Sequence, residues 1–462
     1  MNSQKSKRIK KIDMLHGSVL PATLAFALPI AATNILQQLF NSADTAVVGQ
    51  FADTGSLAAV GTNGEVVGLF VSIAAGLATG VNVVLSWQIG TGDKKSQETT
   101  IRSSLRFSLI AGLLMLLAGE LLAAPILDLI NVPDDVMSKA VLYLRLYLLG
   151  MPFLTLYDFC SAIMRARGDS RRPLYALVVS GILNVLLNLF FVIVLHMDVA
   201  GVSIATDIST AVSAFLLLGW LKKGSDESAD NSTGISSKKI IRKILQIGAP
   251  AAVQSAVFCL ANVVIQAAIN SFGTDVVAGS AASLNFEYFS YYMVAAYAQT
   301  VTTFESQNYA AGQMDRCRKI LWICLLSSIA LSSAISIPCT IWRSTMARIY
   351  TSSPDVIREA SYRMLLILSI TPFESFFETP AGVMRGFGIS VLPAIETTIC
   401  SCGFRILWIF TVFQHFHTLE VLYLVYPFSW ALTSIALWIS LRIVCGQLFS
   451  RKEKQPRPSR TR

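Results

Sequence analysis

Landmarks in the first half of this chain return about 220 residues later, inside a sequence dominated by long apolar runs. Leu28-Pro29 is answered by Ala249-Pro250 and Asn41 by Asn262. Asn63-Gly64-Glu65 is answered by Asn285-Phe286-Glu287, and Val132-Pro133-Asp134 by Ser353-Pro354-Asp355. Late in each half, Met151-Pro152-Phe153 matches Thr371-Pro372-Phe373, and Pro173 matches Pro393. Arg165-Ala166-Arg167-Gly168 likewise matches Arg385-Gly386-Phe387-Gly388. Two homologous membrane halves facing one another are the usual plan of a transporter, with substrate held where the repeats meet.

A soluble protein carries about 25% charged residues. Here they are 14%, against 53% hydrophobic residues, and mean hydropathy is +0.58. The apolar runs reach the ~20 residues needed to cross a hydrocarbon core of ~30 Å. No soluble core requires a dozen of them, so the expected fold class is an all-α polytopic membrane protein. Six spans are predicted at 20–50, 57–87, 104–127, 141–164, 173–196 and 200–221, and six more at 247–271, 276–305, 320–342, 358–384, 391–413 and 420–446. Pro29, Gly76, Gly80, Pro152, Pro250 and Pro372 lie inside them, which membrane helices tolerate.

The domain plan that follows is a cytoplasmic tail (1–17), an N-lobe of six helices (18–222), a cytoplasmic linker (223–243), a C-lobe of six helices (244–447) and a basic cytoplasmic tail (448–462). Basic residues set the orientation: Lys5, Lys7, Arg8, Lys10 and Lys11 precede the first span, and Lys94, Lys95 and Arg102 follow the second. Arg165, Arg167, Arg171 and Arg172 follow the fourth, Arg316, Arg318 and Lys319 the eighth, and further bases fill the linker and the C-terminal tail. The alternate loops are poor in base, which places both termini in the cytoplasm of a cell whose plasma membrane the chain crosses many times. One loop dissents, because Arg343 and Arg348 fall on the outer side. The net charge of +9 is thus mostly topogenic, and nucleic acid is not an expected partner. The first span reads as an uncleaved signal anchor. The eight cysteines lie mostly within apolar spans, where they serve as small core residues. Gly224–Ser237 is rich in Ser, Gly, Asp and Asn, which suits a flexible linker.

Span one carries the strongest site signal. Asn34, Gln37, Gln38, Asn41, Asp44 and Thr45 recur at three-to-four-residue spacing and occupy an arc of roughly 120°. A carboxylate at the bilayer centre costs at least about 2.5 kcal/mol, so Asp44 is expected to face protein or a water-filled cavity. Ser180, Asn184 and Asn188 share one face of span five, and Thr206 with Asp207 opens span six. One carboxylate among neutral amide and hydroxyl oxygens suits a sodium ion or a proton, since hard cations take oxygen ligands. Helix-packing hydrogen bonds are the structural alternative for Asn184, Asn188 and Thr206.

The second half lacks the matching acid: Ile265 stands opposite Asp44, while Gln254, Ser255, Asn262, Gln266 and Asn270 share a face. Acids appear elsewhere, at Glu287, Glu305, Glu374, Glu378 and Glu396, with Arg405 as a partner for one of them. Phe286, Tyr288, Phe289, Tyr291 and Tyr292 make span eight aromatic, and such faces attract a desolvated cation by about 2 kcal/mol. The expected substrate cleft therefore comprises Asn34, Gln38, Asn41, Gln254, Asn262, Gln266, Asn285, Glu287, Tyr288, Tyr291 and Glu378.

Over nearly its whole length the chain resembles the multidrug and toxic compound extrusion (MATE) transporters. The marks are Pro29 with Phe40-Asn-Ser-Ala-Asp44-Thr-Ala-Val-Val-Gly49, Asn184-x3-Asn188, and Val199-Ala-Gly-Val-Ser-Ile-Ala-Thr206. The second half adds Gln307-Asn308-Tyr-Ala-Ala-Gly312, Arg385-Gly-Phe-Gly388-x4-Pro393 and Arg405-x2-Trp408. The resemblance implies two pseudo-symmetric six-helix bundles around a central V-shaped cleft. It also implies export of amphipathic, often cationic, drugs or metabolites in exchange for H+ or Na+, with no other cofactor. Asp44 matches the family's first-helix carboxylate, Gln37 the glutamine a heptad earlier, and Asn184 and Thr206 a cation site of some members. Asn188 departs from members that carry a second Asp there, and Glu305 and Ala311 stand where Gly is frequent.

The expected function is a monomeric, cation-coupled antiporter for a small organic substrate, embedded in membrane lipid. A lipid-linked precursor flippase of the same superfamily is the alternative within transport. A membrane-embedded prenyl or acyl transferase is the alternative from another class. Asp134-Asp135, an acidic doublet on the outer side, lacks the second acidic motif that such an enzyme needs for Mg2+.

Overall fold

A computed structural model describes residues 11–130, 132–223 and 236–453, and they are almost entirely helical. The first ten residues, most of the linker and the last nine residues, where parts of the tail and linker readings fall, lie outside the described residues. The first half holds α1 (Val19–Phe51), α2 (Thr54–Gly90), α3 (Lys94–Leu129), α4 (Asp134–Leu149), α5 (Met151–Ala166), α6 (Arg171–Leu189) and α7 (Asp198–Lys222). The second half holds α8 (Ser237–Asn270), α9 (Thr274–Ala310), α10 (Met314–Ile341), the short α11 (Arg343–Ala347), α12 (Pro354–Leu366) and α13 (Ser375–Gly386). It ends with α14 (Val391–Thr397), α15 (Phe404–Phe410), α16 (Val412–His415) and α17 (Leu419–Glu453).

Nine described helical stretches are long and apolar enough to cross a membrane, and the bent pair α4–α5 makes a tenth. The two remaining spans are α9 and the α12–α13 run. α9 falls short on apolarity, carrying polar groups such as Glu287 and Glu305, whereas α12 and α13, 13 and 12 residues long, are each too short alone and are separated by the 3-10 stretch Leu368–Glu374. Twelve spans in two sets of six result.

Four spans expected as continuous α-helices depart from that form. The fourth bends by 46° between α4 and α5, at Gly150. Its repeat partner, the tenth, passes through a 3-10 stretch, Leu368–Glu374. Pro152 and Pro372 sit at these breaks, and each lacks the N–H that would continue the ladder. The eleventh contains a π-helical stretch, Thr398–Gly403, between α14 and α15, and α6 ends in another, Phe190–Val194. The extra residue of a π turn realigns the side chains beyond it.

The repeat is visible in the turns as well. Gly92 and Gly312 end α2 and α9 with φ of +74° and +79°; Gly168 and Gly388 follow α5 and α13 with +80° and +87°. Only glycine takes this conformation without cost. Gly388 has a second constraint, because a Cβ there would lie 2.5 Å from the Trp87 ring of the opposite lobe.

The lobes are sealed together at the end that carries the α2–α3 and α9–α10 turns. Trp87 Nε1 donates to the Gly386 carbonyl at 2.9 Å, and Gln307 Nε2 donates to the Ala166 carbonyl at 2.7 Å. These two bonds are repeat equivalents of one another, each reaching across to the other lobe. Thr303 donates to Asn82 Oδ1 at 3.0 Å beside them. Backbones meet here through small residues: a Cβ on Gly76 would strike Ala252, and one on Gly80 the Ile244 carbonyl. Close backbone approach is what holds helices together when lipid removes the hydrophobic drive between them.

The first helix of each half crosses over at this seal. The early turns of α1 (Val19, Phe26, Ala27, Ile30) belong to the core of the C-lobe, with Phe26 edge-on to Phe304. Ile240, Ile244 and Ile247 of α8 belong in turn to a core of the N-lobe. Pro29 and Pro250 interrupt the hydrogen-bond ladder near each crossing. Beyond it α1 rejoins its own lobe against α6, where the Phe40 ring fills the space above Gly181. Towards the far end the lobes part, and polar residues of the central helices, including Asn41, Thr45, Glu65 and Asn262, are exposed along a central cleft.

Candidate functional site

The acid of span one is met by the two asparagines of span five and the threonine of span six. Asn188 Nδ2 donates to Asp44 Oδ1 at 2.5 Å, and Thr206 Oγ1 approaches Asp44 Oδ2 at 3.4 Å. Asn184 closes the ring, its Nδ2 donating to Thr206 Oγ1 and its Oδ1 accepting from Asn188 Nδ2, each at 3.3 Å. The helical spacing explains the meeting: residues 184 and 188 share one face of α6, and the Phe40–Gly181 contact brings α1 close enough to reach it. Asn188 is fully buried, and its Oδ1 has no hydrogen-bond partner. The centre thus presents a carboxylate, two amide oxygens and a hydroxyl, one of those oxygens bare. Amide oxygen and nitrogen are interchangeable by rotation, so the face turned to Asp44 is a matter of what else is bound.

Gln37 is half-buried and makes no hydrogen bond to this centre. Asp207 stands apart from it, packed against Gly150 at the α4–α5 break.

The polar residues expected in the cleft divide into two groups. Asn34, Gln38 and Asn41 lie on α1 in partly or fully open positions, and Gln38 Oε1 accepts from Tyr292 of the opposite lobe at 2.9 Å. Tyr292 stacks on Tyr288, which is 39% exposed, and leans on Tyr291, so these rings form a wall at the lobe boundary. Asn262 is exposed, Gln266 bonds Asn270 at 2.9 Å, and Asn285 turns back to the Ala281 carbonyl.

The second group is tied into the C-lobe interior. Glu287 is buried and held by Arg363 through two bonds of 2.8 and 2.9 Å, with Ser283 donating a third at 2.8 Å. Gln254 is buried and accepts from Arg385 at 3.0 Å. Glu378 lies within electrostatic reach of the same Arg385. Arg405 bonds Asn262 at 3.2 Å and Ser429 at 3.1 Å rather than an acid, and its guanidinium lies over the Phe258 and Tyr426 rings at 4.8 Å.

Two functional-looking residues escaped the sequence reading. Arg363 lies inside the tenth span and is 1% exposed. An intramembrane arginine calls for a buried polar or acidic partner, and that need was the available signal. Asp158 is the other; it lies near Arg165 as Glu378 lies near Arg385. Carrying the repeat offset back from Glu378 would have found it.

The fold and the centre together define a two-lobed polytopic transporter of small molecules, with like-oriented halves of six spans each. The MatE family model matches residues 29–190 and again residues 250–411, one copy in each half. The chain belongs to the MATE family of multidrug efflux transporters. It is similar to the probable multidrug resistance protein YoeA of Bacillus subtilis, 22% identical over 443 residues that cover 91% of this chain and 93% of that one. It is also similar to the probable multidrug resistance protein NorM of Thermotoga maritima, 23% identical over 397 residues covering 85% of each. A structure described as the outward-facing conformation of a multidrug resistance MATE family transporter aligns with a TM-score of 0.87 at 20% identity, covering 96% of this chain and 100% of the other. The transferase alternative is thereby set aside.

Proposed function

We propose that the protein exports amphipathic organic cations in exchange for H+ or Na+, and that the coupling ion binds at Asp44. The observation that carries this reading is the Asp44–Asn188–Asn184–Thr206 ring with its bare Asn188 oxygen. In the conformation described, the Asn188 amide donates to the carboxylate. Rotation of that amide would turn its oxygen inward and complete an all-oxygen shell of the kind a hard cation requires. A proton on Asp44 would instead remove the charge that Asn188 satisfies. Either event changes the α1–α6 contact, and a bound ion shifts the lobes only through different affinity for the two arrangements.

The exposed amides of α1 and the Tyr288–Tyr292 wall supply the substrate surface, where aromatic faces favour a cation. Glu287 is assigned a structural role instead, because Arg363 already neutralises it. The orientation follows the basic residues: both termini and the sealed end face the cytoplasm, and the cleft opens outward.

The test is efflux of a fluorescent organic cation from proteoliposomes, driven separately by a pH or a sodium gradient. Asp44→Asn is expected to abolish gradient-driven export while the protein still folds. Native-rate export by that variant would refute the assignment.

A further inference from the structure

The two outer-side arginines that broke the charge pattern converge on one pocket. A cavity of 780 Å³ opens between α10–α11 and α12, lined by Arg343, Arg348 and Arg358 together with Ser344, Ser361 and Tyr362. No acid lines it. Asp355 and Glu359 lie beside it, but both pair with Arg358, at 3.1 and 3.2 Å. Among the described residues Arg343 and Arg348 have no carboxylate partner; Arg343 reaches only the Thr340 carbonyl, at 3.3 Å.

The walls are fixed rather than loose. Ala347 is fully buried against Ala282 and Ala360, Ser344 bonds Ser361 at 3.3 Å, and Tyr350 stands edge-on to Phe286. Around the rim, Ile341, Trp342, Ile349 and Tyr350 are each at least half exposed. Aromatic and aliphatic side chains in such positions mark the boundary between hydrocarbon and headgroups. A volume of this size suits a small polar group, and the guanidinium fork matches phosphate oxygens.

We propose that this pocket binds the phosphate headgroup of an anionic phospholipid from the outer leaflet, gripped by Arg343 and Arg348. The lipid tails lie along the exposed rim, and the site anchors the outer end of the C-lobe against the bilayer. The proposal uses the orientation proposed above only to say which leaflet supplies the lipid.

The full-length protein in detergent is titrated with phosphatidylglycerol, phosphatidylcholine or inorganic phosphate. Thermal unfolding and lipid retained in native mass spectrometry are both read. Phosphatidylglycerol is expected to raise the melting temperature and to be retained, with roughly tenfold weaker binding for each arginine removed. Arg343→Gln/Arg348→Gln loses the effect, and Arg343→Lys/Arg348→Lys recovers part of it. Equal shifts with phosphatidylcholine, or a double Gln variant that keeps the phosphatidylglycerol shift, would overturn the site. Inorganic phosphate reproducing the full shift would overturn the lipid assignment. Export in phosphatidylcholine-only liposomes tests the transport reading separately, since the lipid site plays no part in it.

Discussion

The Glu287–Arg363 pair offers the sharpest quantitative test of how the C-lobe is built. Arg363 is 1% exposed and gives two short bonds to Glu287, while the Tyr423 and Tyr426 rings lie 5.4 and 5.8 Å from its guanidinium carbon. Arg363→Met leaves Glu287 buried with only Ser283 as donor, and stranding a buried charge costs about 3–5 kcal/mol. Glu287→Met strands the arginine and costs a similar amount. Removing both charges leaves apolar groups of similar bulk, so the double variant is expected to lie within about 2 kcal/mol of the parent. The residual loss is the cation–π contact, about 0.5–2 kcal/mol. The coupling energy of the cycle is then at least about 4 kcal/mol, far above that of exposed pairs. Tryptophan fluorescence during denaturation in detergent measures stability, and dye efflux from liposomes measures transport. Single variants that each cost under about 1 kcal/mol would refute a desolvated pair. A Glu287 variant that folds normally but loses transport, while the Arg363 variant transports, would place Glu287 on the substrate instead.

Three further outcomes are expected. Trp87→Phe or Gln307→Leu removes one hydrogen bond of the seal, worth about 1 kcal/mol, and shifts the population about fivefold towards an opened cytoplasmic end; spin-label distances across the seal measure this, and unchanged distributions would contradict it. Asn188→Asp places a second carboxylate beside Asp44, and calorimetry should show sodium binding at least about tenfold tighter; unchanged binding would mean that residue 188 does not face the ion. In the α1–α2 connection, hydrogen bonds from Lys139 and Ser56 lower the Asp53 carboxyl from 3.8 to about 2. Its contribution to stability is therefore complete above about pH 4. It is lost as the pH falls towards 2, so the melting-temperature gap between Asp53→Asn and the parent should close over that window.

The repeat made the two lobes legible before any coordinate, because duplicated prolines and glycines mark backbone constraints that survive sequence drift. Pro152 and Pro372 fall at the breaks of equivalent spans, and Gly168 and Gly388 take the same left-handed turn. The Asp44 centre was legible for a related reason: amides four residues apart on α6 have to share a face. Interruptions inside spans were not legible, since a π turn such as Thr398–Gly403 leaves no mark on hydropathy. Pairings were harder still. Charge alone pairs Arg405 with an acid, whereas the fold delivers it to Asn262, Ser429 and two aromatic rings. Which partner a long side chain reaches is set by lobe packing, which no local window contains.

The crossing of α1 and α8 has a consequence for how such a chain can assemble or arise. Each half lends its opening helix to its neighbour's interior, so the molecule is a domain swap closed within one polypeptide. A half made alone would leave a socket empty and an unhoused helix beside it, which only a second copy could resolve. Within one polypeptide that exchange needs no second copy, and the two halves need not be identical: an acid stands at residue 44 and an isoleucine at 265.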